Sequence, residues 1–91
     1  MVREILTVLM DGIKDANMLA DYAHESEETE HKVWFLNHAK RRYEDLVSDY
    51  AFVKVNIGIE QKAREGDAIA EALAGHIEHE IADIKRKIDE A

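Results

Sequence analysis

Hydrophobic residues recur at helical spacing through almost the whole chain. Val2, Leu6, Leu9, Ile13, Ala16, Ala20 and Ala23 are separated by four and three positions in alternation. That spacing lines them along one face of a helix. The row opens with large side chains and ends in alanines. Alanine lets a neighbouring helix come close, so this helix is expected to lean toward its partner near residue 20. A second row runs Leu36, Ala39, Tyr43, Leu46, Tyr50, Val53 and Ile57. Its phase is displaced from the first by two heptad positions, about 200° around a helix. One straight helix would bury opposite faces in its two halves, so a break is predicted between Ala23 and Glu30. Ser26 is the expected N-cap there. Glu27 and Glu28 come next in the first turn, where the helix dipole favours negative charge.

A third row holds Ala63, Ala70, Ala74, Ile77, Ile81, Ile84, Ile88 and Ala91, with Asp67 as its polar member. Lys85, Arg86 and Lys87 in the closing turns suit a helix C-terminus. Two starts compete for this helix. Beginning after Gly58 gives two helices of roughly 30 residues, about 45 Å each, and matched lengths bury the rows most completely. Gly66-Asp67 reads as a C′ glycine followed by an N-cap. The first is preferred. The pattern therefore predicts helix over Val2–Ala23, Glu27–Asn56 and Glu60–Glu90, and no strand. The fold class is all-α: one domain over residues 1–91, a three-helix antiparallel bundle that completes its core as a homo-oligomer.

Oligomerisation enters because the second helix is apolar on two sides. His31, Trp34, His38, Phe52, Val55 and Ile59 lie well away from the Leu36/Tyr43 row. Three helices do not easily cover both faces, which points to a two-fold dimer. Trp34, Phe52, Val55 and Ile59 are the expected interface residues.

Composition narrows the partners. The chain has 91 residues and a net charge of −8, with 46% hydrophobic and 35% charged residues. This is a globular composition, and its charge disfavours a nucleic-acid backbone or an anionic membrane. Cysteine is absent, so disulfides and thiolate zinc sites are excluded. Proline is absent too, which favours long helices. Met1–Met10 carries Arg3 and Glu4 and lacks the continuous apolar run of a secretory leader. No window approaches the ~18 apolar residues of a membrane span, and a cytoplasmic location is the default expectation.

Histidine and carboxylate are the strong metal-ligand types that remain. Glu28-x-x-His31 sets a carboxylate and an imidazole one turn apart, as one of the two such pairs that a di-iron bundle site uses beside two further glutamates. His24, His31 and His38 recur every seven residues, about 10.5 Å apart on a continuous helix and too far for one ion. His76 and His79, three apart, form a pair able to chelate zinc or nickel weakly. Glu28, His31, His38, His76 and His79 are thus the metal candidates, with iron or zinc as the ion. The competing reading places them on solvated surface, with no cofactor. Glu80-x-x-Asp83 resembles the second magnesium-binding half of the all-α nucleotide pyrophosphohydrolases. The first half of that motif fails, because His31 stands where it has glutamate. No nucleophilic triad or phosphate-cradling glycine loop is present.

The stretch Leu9-Met10-Asp11-Gly12-Ile13-Lys14-Asp15, with Tyr22-Ala23 after it, and the stretch from Phe35 to Leu46 resemble the first helix pair of ferritin-like, rubrerythrin-type proteins. In that family the first helix carries a ligand glutamate seven residues before a tyrosine, and the second carries Phe…Ala-x-x-Glu-x-x-His. The matching positions are Asp15, Arg42 and Asp45. A guanidinium does not bind a cation. The resemblance therefore implies a fold relative that has lost the di-iron centre, or one that builds a different site between chains.

The function expected from these features is that of a non-enzymatic, acidic bundle that associates with itself and with a further protein. A ferritin-like metal-binding protein is the alternative, and a divergent magnesium-dependent nucleotide hydrolase using Glu28, Glu80 and Asp83 the third reading.

Overall fold

The computed structural model describes residues 2–56, Gly58 and residues 65–91. Among the described residues the chain is all-helical: α1 (Val2–Glu25), α2 (Thr29–Asn56) and α3 (Ala68–Glu90), with no strand. The three apolar rows meet. Leu9, Ile13, Ala16 and Ala20 of α1, Ala39, Leu46, Tyr50 and Val53 of α2, and Ala70, Ala74, Ile77, Ile84 and Ile88 of α3 form one buried cluster. Leu6, Leu36, Tyr43 and Ile81 pack against it partly buried. Ile57 and Ala63, assigned to the rows from spacing, lie outside the described residues.

Contacts descend α1 as they ascend α2. Tyr22 packs on Phe35 with ring centroids 5.3 Å apart. Gly12 sits so close to Leu46 that a Cβ there would stand 2.9 Å from Leu46 Cδ2. Val8 and Phe52 line a common groove. Ala16, Ala20 and Ala23 are fully buried, in keeping with a close neighbour along the alanine end of α1.

The α1–α2 break falls inside the expected window, but Ser26 does not cap α2. Its backbone N–H and its hydroxyl both donate to Tyr22 O, at 3.0 and 2.7 Å, so it closes α1, which extends to Glu25. The first bond of α2 runs from Lys32 N–H to Glu28 O, which makes Glu28 the capping residue in backbone terms.

The start of α3 is a second correction. Gly58 adopts a left-handed φ of 72° just after α2 ends, but α3 starts only at Ala68, not at Glu60. Residues 60–64 lie outside the described residues. Glu65-Gly66 form a turn, with Gly66 at φ 91°, a conformation glycine adopts at little steric cost. Asp67 then caps α3, its carboxylate accepting from Ile69 N–H and Ala70 N–H, both at 3.1 Å. Capping of otherwise unpaired amides outweighed the advantage of equal helix lengths.

Polar bonds fix α3 against its neighbours. Asn17 Nδ2 donates to Glu80 Oε2 and Lys87 Nζ donates to Asn17 Oδ1, each at 3.0 Å. Lys87 also pairs with Asp21 at 3.0 Å. On the α2 side, the Tyr50 hydroxyl donates to Glu78 Oε1 at 2.9 Å. No described helix is long and apolar enough to cross a membrane.

Candidate functional site

With the rows buried inward, the second face of α2 is left outward. Trp34 and Phe52 are each 54% exposed and Val55 is 82% exposed. Trp34 and Phe52 are eighteen residues apart, five whole turns, so they share one line along the helix about 27 Å apart. Ile59, the fourth expected interface residue, lies outside the described residues. Trp34 packs against two neighbouring rings. Its ring meets Phe35 edge-on at 5.3 Å and stacks on His38 at 3.8 Å. His38 Nδ1 lies 2.8 Å from Trp34 O and donates to it, because a carbonyl can only accept.

At the other end the surface spans two helices. Ile5, Val8 and Leu9 of α1 join Phe52 and Val53 of α2 in an apolar groove with Asp49 as its polar member. Val8 is 65% exposed. It falls off the α1 row, and a single off-row valine carries no periodic signal. Its contribution appears only once α2 is laid beside it.

The three positions that match ferritin-type ligands come together. Asp15, Arg42 and Asp45 line one groove between α1 and α2, joined by Asp11, Gly12 and Asp49. The other metal candidates are dispersed. Glu28 and His31 pair at 3.4 Å on exposed surface. His38 is engaged with the ring and carbonyl of Trp34. His76 lies along the groove between α1 and α3 with Glu80, whereas His79 faces Ala82, Asp83 and Arg86. Among the described residues no group of three or more histidines or carboxylates is placed to hold a metal ion.

The carboxylates of the nucleotide-hydrolase reading are engaged by other groups. Glu80 accepts from Asn17. Asp83 is taken by Arg86, 2.6 Å away, and by Lys87 at 3.7 Å. The Arg86 hydrogen bond, with the positive charges of Arg86 and Lys87, holds the Asp83 carboxyl below its ordinary value, and the same pairing raises Arg86. Glu28 lines neither groove.

The chain matches no protein-family model, no curated protein and no solved structure.

Proposed function

We propose that this chain is a non-enzymatic, three-helix antiparallel bundle that works by self-association and protein–protein interaction. One observation carries the reading: Trp34, packed on Phe35 and His38, and a half-exposed Phe52 lie on one line of α2, away from the face that packs into the core. Aromatic anchors of this kind dominate the energetics of interfaces, whereas exposed aromatics on a domain this small favour aggregation if left uncovered. Pairing with a second copy is the most economical cover, since a two-fold axis duplicates each favourable contact.

Phe52→Asp tests it. A charge forced into the contact, together with loss of the ring, removes about 2 kcal/mol or more of association energy. The variant should shift to monomer in light scattering at the concentration where the wild type is dimeric. Its thermal midpoint should fall, because association contributes to apparent stability. A variant that stays as associated as the wild type contradicts the reading.

A second reading, a ferritin-like metal-binding protein using Glu28 and His31 with His38 or the His76/His79 pair, is supported by the 3.4 Å approach of His31 to Glu28. Metal analysis of the purified protein tests it. Iron or zinc near one equivalent, lost on replacing His31 and His38 with alanine, would favour it over the interaction reading.

A further inference from the structure

The outer face of α2 carries a complete heptad row of its own. His31, Trp34, His38, Arg41, Asp45, Ser48, Phe52 and Val55 have spacings of three and four in alternation, the seam geometry of a coiled coil. From Trp34 to Val55 each member is exposed or, for His38, partly exposed. The row carries an aromatic toward each end and opposite charges at its middle. Among the described residues neither Arg41 nor Asp45 has an ion-pair partner.

The order of residues along this row is self-complementary about position 43. Trp34 and Phe52 are equally distant from it, as are Arg41 and Asp45, His38 and Ser48, and His31 and Val55. We propose that a second copy of this chain covers α2 in an antiparallel two-fold register centred at Tyr43, setting Trp34 against the partner's Phe52 and Arg41 against the partner's Asp45. This rests on the self-association reading and adds orientation and register to it.

Charge selects the orientation. A parallel, in-register pair would stack Arg41 on the partner's Arg41 and Asp45 on the partner's Asp45, two like-charge contacts that an interface penalises. The antiparallel pair turns both into opposite-charge contacts. Register is selected by the same row. Sliding one copy by a heptad in one direction sets Trp34 against the partner's Asp45, and in the other sets Arg41 against the partner's Phe52. Either slip separates the aromatic anchors and leaves a charge facing a ring. Only the register centred at residue 43 pairs aromatic with aromatic and cation with anion. The apolar groove beside Phe52, lined by Val8 and with Asp49 as its polar member, then lies next to the partner's Trp34. The central charge pairs stay near solvent and set specificity, while the aromatic ends supply the affinity.

Absence of native cysteine makes cross-linking a clean test. His38 and Ser48 face each other across the proposed pair but are about 15 Å apart along one helix. Under mild oxidation, His38→Cys combined with Ser48→Cys should form a covalent dimer, and neither single variant should. In parallel, Arg41→Asp or Asp45→Arg alone should weaken association by at least about tenfold. The two together should return it to near the wild-type value. A wild type that sediments as a monomer overturns both the self-association reading and this register. A dimeric wild type in which His38→Cys alone cross-links, or in which the double charge exchange gives no rescue, overturns the register and leaves self-association standing.

Discussion

At the residue scale the two helical glycines Gly12 and Gly75 separate packing from propensity. Gly12 packs directly against α2, with Leu46 filling the space a side chain would take. Gly75 lies on the exposed side of α3 with no atom within 4 Å of a Cβ built there. Gly12→Val should therefore destabilise by about 1–3 kcal/mol through overpacking against a buried leucine. Gly75→Ala should stabilise by about 0.5–1 kcal/mol, because it removes the entropic penalty of glycine inside a helix. Denaturant midpoints of the two variants check both signs. Similar effects at both positions would mean that the close approach at Gly12 is not made.

At the element scale, α3 depends on its cap. Asp67 satisfies two amides of the first turn, and Asp67→Ala should cost about 0.5–2 kcal/mol. The loss should show first as faster hydrogen exchange in the opening turn of α3, ahead of global unfolding; unchanged protection at Ile69 and Ala70 would argue against the cap. All three core rows were readable from spacing alone, because a 3.6-residue period leaves few ways to bury Leu9, Leu46 and Ile77 together. Helix ends were less readable. Ser26 has the chemistry of an N-cap, yet it bonds backward to Tyr22. Gly58 and Gly66 both adopt left-handed backbone, so neither residue type could by itself place the start of α3. The exposed face of α2 was legible as apolar residues out of phase with the core row. Its extension onto Val8 was not, since that depends on which side of α1 meets α2. The separation of His31 from His38 was legible, since seven residues of helix span about 10.5 Å; that His76 lines the α1–α3 groove while His79 lies with Asp83 and Arg86 was not, because it depends on how α3 packs.

At the scale of the whole molecule, the shape explains why one face is left over. The chain measures 49 × 21 × 15 Å, long and thin for its size. A body so thin has a single cluster for a core, and small domains bury a modest share of their surface in any case. The side chains that do not reach that core include an aromatic at each end of α2 and a valine of α1 beside the second of them. In the proposed dimer a partner copy would give these residues the cover that a fourth helix supplies in a larger bundle.

Sedimentation equilibrium of the wild-type chain at micromolar concentration distinguishes a dimer from a self-sufficient monomer. The wild type should show a mass twice that of the 10.4 kDa chain, and Phe52→Asp the mass of one chain under the same conditions. A wild type that is a monodisperse, well-folded monomer would contradict self-association, because the three helices would then be sufficient with Trp34, Phe52 and Val55 left in water.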